Sequence, residues 1–203
     1  MKIKICGLTN INEAKYLNEN KVDFAGFVLF FPKSKRNISI TKAKEIFSAL
    51  HPSIKKVAVV VSPTLEQVKE IEDTGFNYIQ IHGQLEEALL SQINIPVLKA
   101  FNIKDMEQYV TFQKYPQIAG YVFDAQEPGS GKTFDWKLVT DIPRDEKLFL
   151  LAGGLHPENV AEAIAAIHPD GVDVSSGVEF ADKPGKDAEK IKQFVDNVHA
   201  VST

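Results

Sequence analysis

"KVAVVVSPTLEQVKEIEDTGFNYIQIHG", residues 56–83, reads as a strand, a helix and a second strand in one unbroken run. Residues 56–61 are apolar and β-branched almost throughout, as in a strand buried on both faces. "SPTLEQ" then carries helix-start signals, with Pro63 near the start, and apolar residues recur at helical spacing over 64–74. The run 77–81, "NYIQI", returns to strand character.

The same alternation extends in both directions. Further strands are expected at 2–6, 22–29, 96–101, 118–124, 147–151 and 171–174. Further helices are expected near 11–20, 41–50, 85–93, 104–114, briefly after Trp136, then over 157–167 and 186–199. Eight strand-then-helix units at a spacing of roughly 25 residues are what a closed parallel barrel requires. The expectation is an α/β chain folded as one compact, eight-stranded (β/α)8 TIM barrel over residues 1–203. An open doubly wound sheet alternates its elements in the same way. The count favours the barrel, and no Gly-x-Gly-x-x-Gly run follows the first strand. The chain is short for a barrel, so some loops and helices must be trimmed.

Composition narrows the class. The chain has 203 residues, 44% of them hydrophobic, enough for one substantial core. Lysine and arginine total 23 against 27 acids, and the two signs are mixed without a basic stripe. That argues against a nucleic-acid partner. Apolar runs such as "FAGFVLFF" (24–31) are too short to span a membrane, and "MKIKICGL" enters a strand directly. A cytoplasmic protein is expected, and the single cysteine, Cys6, agrees with a reducing compartment.

"GSGKT" (129–133) has the look of a nucleotide-binding P-loop. That motif needs a glycine at position 126, where this chain has Gln126, and "FDW" (134–136) leads only into a short polar stretch before Pro143. A glycine-rich loop is the better reading.

In a parallel barrel the chemistry gathers at the C-terminal strand ends. Those positions are polar here: Cys6 after the first strand, Arg36 in the loop after the second, Gln80 and His82 around the fourth, Asp124 at the sixth. After the seventh and eighth come "AGGL" (152–155) and "VSSGVE" (174–179). Gly153, Gly154, Ser175, Ser176 and Gly177 form a candidate phosphate site, because glycines let backbone N–H groups approach an oxyanion. A small phosphorylated substrate is implied, and no metal site is assigned. Each residue has a plainer reading: an inert buried thiol, a loop-capping aspartate, a satisfied strand-end histidine, a surface arginine, serines capping the last helix.

Taken in order, "KICGLTN" (4–10), "IQIHG" (79–83), "GSGKTFDW" (129–136), "LAGGLHPENV" (151–160), "GVDVSSGVE" (171–179) and "PGKD" (184–187) resemble the phosphoribosylanthranilate isomerases of tryptophan biosynthesis. The resemblance runs from the first strand to the last helix. It implies a (β/α)8 barrel that carries out an Amadori rearrangement of N-(5-phosphoribosyl)anthranilate without a cofactor, as monomer or homodimer. It implies Cys6 as general base, Asp124 as general acid, and Arg36 as the partner of the anthranilate carboxylate. Gln80 and His82 are expected to line the substrate site. Two departures stand out: Lys35 replaces the usual proline before Arg36, and Pro128 stands where a glycine is common. Under this resemblance "GSGKT" belongs to a loop over the acid.

Overall fold

The computed structural model describes residues 1–102, 108–124, 137–140 and 142–201. Strands and helices alternate along the chain: β1 (Lys2–Cys6), α1 (Glu13–Glu19), β2 (Phe24–Val28), α2 (Ile40–Phe47), β3 (Lys55–Val61), α3 (Leu65–Thr74), β4 (Tyr78–His82), α4 (Glu87–Leu90). Then follow β5 (Val97–Asn102), α5 (Tyr109–Phe112), β6 (Ile118–Asp124), α6 (Lys137–Thr140), β7 (Leu148–Leu151), α7 (Val160–Ile167), β8 (Gly171–Val174) and α8 (Ala188–Val201). "GSGKT", Pro128 and the first part of the expected 104–114 helix lie outside the described residues.

All eight strands pair in parallel and in chain order, and β1 closes on β8 with Lys4 opposite Asp173. That pairing rules out the open sheet, whose edge strands stay unpaired. Period-2 alternation divides the core into two layers. Phe24, Val57, Val59, Leu98, Val122 and Leu150 point inward and fill the barrel. The intervening residues, among them Ile5, Phe27, Ala58 and Ile79, face the helices. This explains why the strands read as continuous apolar runs: both faces are buried.

α3 shows why the opening stretch folds as it does. Thr64 caps the helix in a reciprocal capping box with Gln67, and Gly75 ends it at φ 91°, a left-handed conformation suited to glycine. The expected trimming is seen at α4, four residues long, and among the described residues α5 and α6 also have four each. Phe101, Tyr109, Tyr121, Phe123 and Phe149 pack edge-on or stacked beside β5–β7. The expected helix at 157–167 is shorter than the periodicity suggested. Residues 157–159 form a turn in which Asn159 Oδ1 accepts from the His156 N–H, and α7 begins at Val160. Among the described residues no helix is long and apolar enough to cross a membrane.

Candidate active site

The C-terminal strand ends enclose a cavity of about 680 Å³, within the roughly 300–1,000 Å³ usual for small-molecule sites. Cys6, Arg36, Gln80, His82, Asp124, Gly153, Gly154, Ser175 and Ser176 line it, whereas Gly177 is not among the lining residues. Side chains more than a hundred positions apart in the chain therefore share one chamber, because every strand ends at the same face.

Cys6 ends β1 and is nearly buried, at 9% exposure. Burial pushes its thiol up; Lys4 pulls it back, Asp173 adds to the rise, and Lys186 opposes it. The next residue, Gly7, takes φ +80°, and a Cβ there would lie 2.5 Å from Arg36 Cδ. The glycine lets the arginine stem cross directly above the strand end.

Arg36 is held at its far end. Its Nε and Nη2 both donate to the Glu179 carboxylate, and Nη1 has no acceptor among the described residues. Glu179 also receives Lys35 at 2.8 Å and Lys186 at 3.1 Å. Burial alone would raise its carboxyl, but Arg36, Lys186 and Lys35 together hold it down to about 2. A tertiary clamp thus fixes one edge of the Arg36 guanidinium at the cavity wall. Lys35 is turned onto Glu179 as well.

Gly153 and Gly154, both at positive φ (84° and 68°), form a tight turn after β7. Asn159 Nδ2 pins it by donating to the Gly154 carbonyl at 3.0 Å. After β8, Ser176–Val178 form one 3-10 turn. The N–H groups of Gly153, Gly154, Ser176 and Gly177 donate to no acceptor among the described residues. The Ser175 hydroxyl is already engaged: Oγ donates to the Cys6 carbonyl at 3.0 Å and accepts from Lys186 Nζ at 3.3 Å. Ser175 thereby ties the phosphate-type loop to the end of β1.

Gln80 and His82 face the cavity from β4. Gln80 Nε2 donates to His82 Nε2 at 2.9 Å, which leaves the imidazole proton on Nδ1. Burial, with Lys99 and Lys4 nearby, lowers His82 to about 3, so the ring is neutral under physiological conditions. Gln80 Oε1 is a buried acceptor without a partner among the described residues. Asp124 is the last residue of β6 and lines the cavity.

Four residues given no role in the sequence complete the surroundings: Lys4, Asp173, Glu179 and Lys186, all buried. Strand parity points to the first two. Lys4 and Asp173 sit two residues before Cys6 and Ser175, at inward positions of otherwise apolar strands. Glu179 and Lys186 belong to "VSSGVE" and "PGKD" but lie outside the strands, where parity carries no information.

Packing around Gly177 yields one prediction. A Cβ there would overlap the Leu155 carbonyl oxygen and lie 2.9 Å from His156 Cα. Gly177→Ala must push the two loops apart, so we expect a stability loss of about 1–3 kcal/mol. Anion affinity should fall about tenfold, one broken N–H contact to a charged oxygen. Thermal unfolding and phosphate inhibition measure the two effects; unchanged phosphate inhibition would show that these loops do not hold the anion.

The N-(5′-phosphoribosyl)anthranilate isomerase family model matches residues 3–197. An isomerase of that name from Streptococcus gordonii is 40% identical over 199 residues, covering 97% of both chains. The crystal structure of phosphoribosylanthranilate isomerase from Thermotoga maritima superposes with a TM-score of 0.86 at 38% identity, covering 98% of this chain and 99% of that one. A further isomerase structure, TM-score 0.82 and 36% identity over 98% and 99% of the two chains, is a complex with reduced 1-(o-carboxyphenylamino)-1-deoxyribulose 5-phosphate. Sequence and topology agree from the first strand to the last helix: the chain belongs to the N-(5′-phosphoribosyl)anthranilate isomerase family.

Proposed function

We propose that the protein isomerises N-(5′-phosphoribosyl)anthranilate to 1-(2-carboxyphenylamino)-1-deoxyribulose 5-phosphate in tryptophan biosynthesis, with Cys6 as general base and Asp124 as general acid. The observation that carries this reading is the shared chamber: a thiol, a carboxyl, a clamped guanidinium and two loops with N–H groups that donate to no acceptor among the described residues line one cavity. The family relative's ligand bears both a carboxyphenyl group and a phosphate, the two anions such a chamber would accept at opposite ends. In this reading Arg36 takes the carboxylate, and Gly153, Gly154, Ser176 and Gly177 take the phosphate through their N–H groups. Ser175 holds the loop in place. Gln80 and neutral His82 line the sugar's path.

The steps follow from these positions. Asp124 gives its proton to the furanose oxygen while the anilinic nitrogen lone pair forms the C1′ iminium, and the ring opens. The Cys6 thiolate then removes the C2′ proton. Those C–H electrons form the C1′–C2′ double bond and return the iminium pair to nitrogen. The enolamine tautomerises to the ketose. C2′ is oxidised as C1′ is reduced, so the rearrangement balances internally and no cofactor is invoked. A working thiol needs a reducing compartment, and we place the enzyme in the cytoplasm on that ground.

Freshly generated phosphoribosylanthranilate, followed by loss of its fluorescence, tests the activity; decay no faster than without protein would overturn it. A second measurement addresses the phosphate end. Inorganic phosphate or sulfate should compete with substrate, raising KM at constant kcat, because backbone donors bind the anion whatever it is attached to. A phosphate-soaked crystal with the anion only at some other place would count against this assignment.

A further inference from the structure

Lys4 and Asp173 form an ion pair of 2.7 Å inside the barrel, their side chains 0% and 7% exposed. The acid-base scheme above uses neither. Most inward residues at this depth, such as Phe24, Val57, Leu98 and Leu150, are apolar. Such a pair adds little net stability compared with well-packed apolar residues of similar volume, so packing alone does not account for it.

Its placement suggests what does. Lys4 and Cys6 face inward from the same strand, and Gly26 of β2 is the register partner of Cys6. The point that a Cβ on Gly26 would occupy lies 2.9 Å from Cys6 Sγ and 3.2 Å from Lys4 Nζ. Thiol and ammonium therefore flank one glycine. We propose that Lys4 is the positioning residue of Cys6: its ammonium, anchored by Asp173, provides the fixed positive charge against which the thiolate forms.

The other charges near the thiol are accounted for. β2 presents only Gly26, β8 presents Asp173, and the segment before α8 presents Lys186. Lys186 is committed elsewhere, to Glu179 Oε1 at 3.1 Å and to the Ser175 carbonyl at 3.0 Å. Arg36 lies above Gly7 with Glu179, and Asp124 stands on the separate strand β6. Lys4 is the strongest influence opposing the burial that raises Cys6. Burial works against the Lys4 ammonium too, but the charges of Asp173 and Cys6 outweigh it and keep it protonated. The role in turnover rests on the reading of Cys6 as base; the effect on the thiol does not.

Cys6 is the only cysteine and lines the cavity, so the pH dependence of its alkylation by iodoacetamide reports its titration without substrate. Lys4→Met should raise the apparent thiol pKa by about one unit or more, slowing alkylation about tenfold at neutral pH. The rising acid limb of kcat should move by the same amount. Asp173→Asn removes an anion from the same surroundings and should shift the thiol the opposite way. An unchanged or lowered thiol pKa in Lys4→Met overturns the proposal, as does a shift of the same sign in both variants, which marks a loosened barrel. Should Lys4→Met not fold, with Asp173 left buried and unpaired, Lys4→Met/Asp173→Asn removes both charges. Its thiol must then titrate above that of Asp173→Asn alone, and equal values reject the role. A shifted thiol combined with full turnover in Cys6→Ser would reject Cys6 as base while leaving the Lys4–Cys6 coupling intact.

Discussion

Cys6→Ser and Asp124→Asn should each fold as the parent does and lose about 10²-fold or more of kcat, the usual contribution of a placed general acid or base. Both substitutions conserve size. Lys4, the side chain beside Cys6 Sγ, keeps its bond to Asp173 in Cys6→Ser, and Ser175 reaches the backbone carbonyl of Cys6, not its side chain. A hydroxyl in place of the thiol is far too weak an acid to supply the conjugate base near neutral pH. An amide at 124 has no proton of carboxylic acidity to deliver to the ring oxygen. The two losses should not multiply in the double variant where one proton transfer already limits the rate. Steady-state fluorescence kinetics, with circular dichroism to establish folding, measures the effect. A folded Cys6→Ser or Asp124→Asn with near-parental kcat removes that residue from the mechanism.

Arg36→Met should raise KM about 10- to 10²-fold while reducing kcat less, because the anthranilate carboxylate is present throughout the reaction and its charge-assisted hydrogen bonds bind every state alike. The structure makes this substitution informative. Glu179 loses its guanidinium partner but retains Lys186 at 3.1 Å and Lys35 at 2.8 Å, so no buried carboxylate is left unpaired and the fold should survive. Arg36→Lys should rescue only in part, since an ammonium cannot contact Glu179 along one edge and a ligand along the other. Glu179→Gln is the complementary variant. It frees Arg36 and deprives buried Lys186 of its counter-ion, so it should lower Tm more than Arg36→Met and raise KM less. The Glu179 carboxyl is depressed to about 2 in the folded state; its stabilisation is therefore complete above its unfolded value near 4.5 and lost as pH falls toward 2. The clamp should hold across the neutral range. If Arg36→Met leaves the affinity for a reduced, anthranilate-containing product analogue unchanged, the guanidinium does not hold the carboxylate.

The local part of this structure was legible without coordinates. Hydrophobic period sets each element: the continuous apolar run of β3 needs cover on both faces, and "SPTLEQ" marks the start of α3, which the structure shows capped by the Thr64–Gln67 box and ended at Gly75. Repeating that unit eight times leaves a closed parallel barrel as the arrangement that covers every strand. Strand ends then name Cys6 and Asp124, because topology decides which end carries chemistry.

What the one-dimensional pattern could not supply are the contacts created by closure. Arg36 meets Glu179 across 143 positions, and Lys4 meets Asp173 across 169. Strand parity turns Lys4 and Asp173 inward, but it names the partner of neither pair, since an ion pair is satisfied by any opposite charge that the fold brings near. The clamp on Arg36, the engagement of the Ser175 hydroxyl by Cys6 and Lys186, and the cation beside the thiol all arise where β8 returns to β1. The sequence by itself determined the elements, their order and the face that bears the site, because those follow from local burial and turn chemistry. Only the tertiary structure decided how each site residue is charged, anchored and aimed, because electrostatics and hydrogen bonding depend on distance in space and not on separation along the chain.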